Sequence, residues 1–297
     1  LYKRCINTKR EQYMALTYNY LLQLMSGGVA FLDGCESPFN HPKMNFLIES
    51  IMELFSVFFK SNPGDVTTIC MNFIQWLGQA DEDTAFPIFS TLTDAFEFGA
   101  VNETIPRELC QYLQAKGESI QNPDLQQNIS YFLALLCRKS PESAALANQV
   151  MPLIVDWWKR GHAKNAGYKE ALDNMASFFL SYAVIDPSLP EELIVGALQQ
   201  IPPTDLLETE DMVKSALGLL PKKQDSPQIL LNTALALSRL FTESQSQLDS
   251  RKIPGDVMAQ AIQVLKQLMS IQDIQQVVMA QYVKSKSKKA RLLKVLQ

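Results

Sequence analysis

Few residues in this 297-residue chain have the types and spacing that acid–base or covalent chemistry requires. The two histidines, His41 in Phe-Asn-His-Pro-Lys and His162 in Lys-Arg-Gly-His-Ala-Lys-Asn, sit in settings that read as solvated turns. No Gly-rich phosphate loop, G-x-S-x-G or H-E-x-x-H pattern occurs. The five cysteines, Cys5, Cys35, Cys70, Cys110 and Cys137, are odd in number and widely spaced, with no C-x-x-C among them. A disulfide framework or zinc site needs clustering. They read instead as small apolar interior residues in a reducing compartment. Acidic pairs such as Glu191-Glu192 and the run Asp81-Glu82-Asp83 fall at expected helix starts, where negative charge complements the helix dipole. The inventory predicts a protein that is not an enzyme and binds neither metal nor cofactor.

What remains is chemistry of recognition. Asp156-Trp157-Trp158 is the sharpest local feature. Adjacent residues on a helix lie about 100° apart, so two neighbouring tryptophans cannot face one core. One reading leaves one of them partly exposed, as a binding ledge beside Asp156, Lys159 and Arg160, since tryptophan is enriched in binding hot spots. The other packs both between helices. Phe86, Phe89, Phe96 and Phe98 read as core, though a groove lined by them suits an incoming phenylalanine. The run Lys284-Ser-Lys-Ser-Lys-Lys-Ala-Arg looks superficially like a nuclear localisation signal and reads as a solvated closing face.

These residues are carried on helices. Tyr168, Leu172, Met175, Phe179 and Tyr182 fall at i, i+4, i+7, i+11 and i+14, one apolar stripe, and Asp186-Pro187 ends it. A second amphipathic helix runs from Pro190 to about Ile201 and stops at Pro202-Pro203, with another starting near Thr204 or Glu208. The same spacing recurs along the chain, in Ile48–Phe59, Val66–Leu77, Leu125–Leu136, Leu230–Phe241 and Val257–Leu268. A long helix is expected over Cys5–Met25, an irregular loop over Val29–Pro42, and a polar loop over Gln245–Ile253. The offset between the openings Asn122 and Asn165 is 43 residues. Helical pairs recurring at about 40–47 residues have the period of HEAT and armadillo arrays. Such a pair cannot bury its apolar faces alone and stacks on its neighbours. The expected fold is all-α, a right-handed α-solenoid of about six or seven HEAT repeats over residues 1–297.

Hydrophobic content of 47% with 20% charged residues is ordinary for a folded chain. A net charge of −4 and a pI near 5.4 argue against nucleic acid as the main ligand. No run approaches the ~20 apolar residues of a membrane span, and no signal peptide is evident. The start at Leu-Tyr-Lys-Arg, without Met, reads as the start of a fragment lacking its N-terminal part.

Residues 122–220 resemble the importin β (karyopherin β) nuclear transport receptors, most closely the importin β3 type. The resemblance rests on Asn128-Ile-Ser-Tyr-Phe-Leu, Val150-Met-Pro-Leu-Ile-Val-Asp-Trp-Trp, Ala171-Leu-Asp-Asn-Met-Ala, Pro190-Glu-Glu-Leu-Ile-Val and Leu198-Gln-Gln-Ile-Pro-Pro. It extends to a Leu-Pro-type turn followed by acids, here Ile201-Pro202 and then Glu208, Glu210 and Asp211. Residues 259–296 are similar to the closing helices of that family, and residues 1–120 match by pattern alone.

The resemblance implies the C-terminal arch of a longer receptor that shuttles between cytoplasm and nucleus. Its implied partners are protein cargo with basic segments, Phe-Gly nucleoporins and, through the missing N-terminal part, a Ran-type GTPase. Neither a membrane nor direct nucleic-acid contact is expected. Asp156, Trp157, Trp158, Glu208, Glu210 and Asp211 are the candidate protein-binding residues. The competing class is a HEAT scaffold subunit of a phosphatase or chromosome-organising complex. An exportin would differ only in the direction of its Ran linkage.

Overall fold

Every element of the chain that the computed structural model describes is helical, over residues 42–61, 66–164 and 167–297. The expected Cys5–Met25 helix, the loop from Val29 as far as His41, the residues Cys5, Cys35 and His41, and residues 62–65 lie outside the described residues. Fourteen α-helices follow in order, with no β-strand among the described residues. They are α1 (Pro42–Ser61), α2 (Thr67–Leu77), α3 (Glu82–Phe98), α4 (Thr104–Lys116), α5 (Pro123–Lys139), α6 (Ala144–Lys164) and α7 (Lys169–Ile185). Then come α8 (Glu191–Gln199), α9 (Thr209–Leu219), α10 (Pro227–Phe241), α11 (Gln245–Ser250), α12 (Gly255–Met269), α13 (Gln272–Gln281) and α14 (Lys286–Leu296). None is long and apolar enough to cross a membrane.

The chain divides into two compact units, before and after the Asn128–Ile129 bond within α5. In the first, α3 packs on α1 and α2, and α4 packs on α2. The apolar stripes of α1 and α2 meet through fully buried Phe55, Phe59 and Phe73, with the Phe55 and Phe73 rings edge-on at 4.9 Å. Such contacts add about 0.5–1.5 kcal/mol beyond area burial. Thr91 of α3 ties to α1 by donating to the Met52 carbonyl at 3.1 Å. Cys70 and Cys110 are buried thiols in no disulfide, as is Cys137 in the second unit. Burial alone pushes the Cys110 thiol up to about 12.

In the second unit, α7 packs on α6, α8 and α9, and α9 packs on α12. Alongside, α8 packs on α10 and α10 on α12, α13 and α14. The result is two rows of helices, one through α7, α9 and α12, the other through α8, α10 and α13. The short helix α11 is inserted where a polar loop was expected. Its start is a capping box, in which Ser244 and Gln247 satisfy each other's backbone N–H groups.

Most side-chain hydrogen bonds between elements span 31 to 49 residues. Examples are Thr91 to Met52 (39), Arg138 to Ser177 (39), Ser181 to Ser215 (34), Arg239 to Leu198 (41) and Ser238 to Tyr282 (44). Each helix is tied mainly to its counterpart one helical pair away.

Candidate functional site

The Asp156-Trp157-Trp158 feature is not an exposed ledge. Trp157 is fully buried and Trp158 is 7% exposed. Of the two sequence readings, the one that packs both between helices holds, because both rings lie on one broad buried stripe of α6 with Ala147, Val150, Met151 and Ile154. Trp158 stands edge-on to Phe179 of α7 at 5.4 Å and lies over Gly196 of α8. A Cβ at Gly196 would come within 3.3 Å of the indole, so the missing side chain makes room for the ring. His162 lies on the last turns of α6, not in a loop, and meets Trp158 edge-on at 4.3 Å. Partial burial holds its pKa below the ordinary value. Asp156 is the exposed member and pairs with Arg160 at 2.8 Å, an i,i+4 contact.

The acids Glu208, Glu210 and Asp211 divide in the same way. Glu210 lies at the surface and pairs with Lys214. Asp211 Oδ2 lies 3.0 Å from Arg138 Nη2, close enough for an ion pair but without hydrogen-bond alignment. Glu208 is 2% exposed, and its Oε2 is buried without a hydrogen-bond partner. Burial pushes its carboxyl up to about 7, against the pull of a Ser177 hydrogen bond and the Arg138 charge. Arg138 on α5 also donates to Ser177 and reaches towards Ser181 at 3.5 Å, so one guanidinium joins α5, α7 and α9.

Around Glu208 the structure reveals what sequence reasoning missed. The segment 200–208 between α8 and α9 is held by three charged side chains. Asp173 of α7, 2% exposed, accepts from the backbone N–H groups of Thr204 (2.7 Å) and Asp205 (3.1 Å). Burial still lifts its carboxyl to about 6. Arg239 of α10 donates to the carbonyls of Ile201 (2.9 Å), Leu198 (3.0 Å) and Gln199 (3.2 Å), filling the acceptors that the end of α8 leaves open. Arg251 donates to the Pro203 carbonyl and to Thr209, and forms a two-pronged pair with Glu243 at 2.6 and 2.7 Å. From this clamped segment Leu206 and Leu207 project outward, 42% and 81% exposed. The partners of Asp173 and Glu208 lie some 30 to 70 positions away in sequence, which local pattern cannot register.

A second feature lies in the first unit. The acidic run expected to serve only as a helix start lines a cavity of about 440 Å³ with Leu77, Tyr112, Lys116 and Ile120. Asp81 caps α3 by accepting from Thr84 N–H at 2.9 Å. Glu82 Oε2 accepts from the N–H groups of Gln121 (2.8 Å) and Asn122 (2.6 Å) at the entry to α5. Burial, and then the Glu82 charge, push the Tyr112 phenol up to about 12. The lining joins apolar Leu77 and Ile120 to three acids and one cation, Lys116, so apolar and net acidic groups share one cavity.

Of the candidate aromatics, Phe89 and Phe96 are core, whereas Phe86 and Phe98 reach the surface at 36% and 40% exposure. No cluster of His, Cys, Asp and Glu suited to a metal ion occurs among the described residues. These arrangements hold backbone, bury charge and leave apolar groups at the surface. No protein-family model, curated protein or solved structure matches this chain.

Proposed function

We propose that this chain is part of an α-solenoid of HEAT repeats that binds protein partners, and that it serves as the C-terminal arch of an importin β-type nuclear transport receptor. The observation that carries the reading is the regular reach of the inter-helix hydrogen bonds. Pairs such as Thr91–Met52, Arg138–Ser177 and Arg239–Leu198 lie 39, 39 and 41 residues apart, one HEAT period. Tethers of that reach characterise stacked repeats, whose extended surfaces are used for wrapping partners. The resemblance of residues 122–220 supplies the transport class.

Within this reading, cargo with basic segments is held by acids at the surface. The cavity beside Asp81, Glu82 and Asp83 takes a lysine or arginine side chain, and Asp156 and Glu210 add rim charge. Glu208, Trp157 and Trp158 act indirectly, by fixing the helices. Phe86 and Phe98 mark the surface for Phe-Gly segments, and a Ran-type GTPase acts through repeats upstream of this chain.

The test is retention of two peptides, one of Phe-Gly repeats and one of clustered lysines and arginines, over a salt series. Retention of both is expected, with the basic peptide lost as salt rises. Asp83→Lys should weaken the basic peptide about tenfold and leave the Phe-Gly peptide unchanged. A folded protein that retains neither peptide overturns the transport reading.

A further inference from the structure

The lysine-rich run that closes the sequence has no part in the basic-cargo reading, and its placement gives it a role of its own. After Asp273 the chain carries no acid, yet it carries Lys284, Lys286, Lys288, Lys289, Arg291 and Lys294. This segment holds +6 in a chain of net −4, so the residues before it carry −10. Five of the six cations stand on one element, α14.

That element has a committed side and an open side. Leu292 of α14 is fully buried in the core cluster with Tyr282 and Val278, and Val295 and Leu296 pack against the same cluster. Arg291 Nε donates to the Thr242 carbonyl at 2.8 Å. These contacts fix which way the helix faces. Lys286, Lys289, Ala290, Leu293 and Lys294 fall at i, i+3, i+4, i+7 and i+8, one stripe, and all five are exposed. The stripe is therefore a pair of apolar groups enclosed by three lysines, with Val283, 70% exposed, just before it.

None of these lysines has a carboxylate in ion-pair range among the described residues. The first turn of α14 holds no acid either, so its lysines crowd the positive end of the helix dipole. That arrangement works against the helix unless an anion is supplied from outside.

We propose that the outward face of α14 docks an acidic segment of a partner protein, one whose carboxylates meet Lys286, Lys289 and Lys294 and whose apolar side chains cover Ala290 and Leu293. Charge complementarity selects an anionic partner. The apolar pair at the centre of the stripe selects a peptide over a phosphate backbone, which offers nothing to cover it. The apolar groups are Ala, Leu and Val, without the aromatic residues that anchor an interfacial helix in lipid.

The experiment is fluorescence anisotropy with a labelled peptide of three Glu-Leu-Glu-Glu repeats. An all-Glu peptide of equal length, an oligo-dT strand and phosphatidylserine vesicles serve as competitors. Salt-dependent binding of the Leu-containing peptide is expected, at least about fivefold tighter than all-Glu. The triple variant Lys286→Glu/Lys289→Glu/Lys294→Glu should weaken it more than about tenfold, and Leu293→Ser about fivefold. Lys266→Glu on α12 should change it less than about twofold. All substituted positions are exposed, and unchanged circular dichroism melts will show that the variants fold. Equal binding of all-Glu, tighter binding of oligo-dT or vesicles, an unaffected triple variant, or no binding overturns the proposal.

Discussion

The two units are built from the same helices yet held by different chemistry. Among the described side chains of residues 42–128 the buried polar ones are Thr84, Thr91, Thr93 and Gln126, all uncharged, around an aromatic centre of Phe55, Phe59, Phe73 and Phe89. In residues 129–297 Asp173, Glu208 and Arg251 are all buried, and Arg138 and Arg239 tie helices together beside them. A buried ion pair gives little net stability over an apolar replacement, whereas breaking one leaves a costly unpaired charge. The second unit therefore gains positional constraint from its charges, chiefly on the segment that presents Leu206 and Leu207. The first gains stability from close packing.

The largest expected effect tests the packed unit. Phe55→Ala should cost roughly 4 kcal/mol by the lost burial and the cavity left behind. Hydrogen exchange should then rise in α1–α4, and an unchanged rate there would break the comparison. Arg251→Ala should cost roughly 3 kcal/mol, because the Glu243 carboxylate is left with no cation and the Pro203 carbonyl with no donor from it. Exchange should rise around residues 200–209, while the Phe55 region stays protected.

Glu208→Gln separates the units by pH. The folded carboxyl lies at about 7, above its ordinary 4.5, so its favourable contribution is complete below pH 4.5 and is lost as pH rises through about 7. Asp173 behaves alike between 3.8 and about 6. The wild-type second unit should lose stability across this window. Glu208→Gln should recover on the order of 2 kcal/mol at pH 8 and nothing at pH 4. Urea midpoints over that range provide the check.

Two smaller effects sharpen the contrast at the surface. Asp81→Ala removes the cap of α3 and should cost about 1 kcal/mol, read as fraying of that helix by exchange. Asp156→Asn removes only an exposed pair with Arg160 and should shift the melting midpoint by less than about 0.5 kcal/mol in equivalent stability.

The helices themselves were legible, because the apolar stripe of Tyr168 to Tyr182 or of Val257 to Leu268 is a local property of the chain. Prolines such as Pro187, Pro202 and Pro221 stand just past helix ends, although Pro87 and Pro152 lie inside α3 and α6. Helix α11 was missed because Gln-Ser-Gln-Leu-Asp-Ser has no stripe, although the Ser244…Gln247 capping signature was in view. Of the two starts offered for α9, Glu208 is the one the helix takes as its cap; nothing local excludes Thr204, because it is Asp173 that draws the backbone N–H groups of 204–205 away from a helix. Glu208 looked like its neighbours Glu210 and Asp211, and its burial depends on helices α5 and α7. The tryptophans could be read two ways for a related reason. Two residues about 100° apart both fit one buried face when it is as broad as that of α6, and breadth is set by the helices packed on it.

The three buried thiols have a practical consequence. Cys110, held near 12, presents almost no thiolate to an alkylating reagent at neutral pH, and Cys70 and Cys137 are equally shut away from solvent. Each becomes reactive only when its helix opens. Cys70 and Cys110 report on the aromatic unit and Cys137 on the charged one, so mass-resolved alkylation turns the native sequence into a pair of built-in stopwatches. Run side by side in one tube, they time the opening of each unit without a single introduced label.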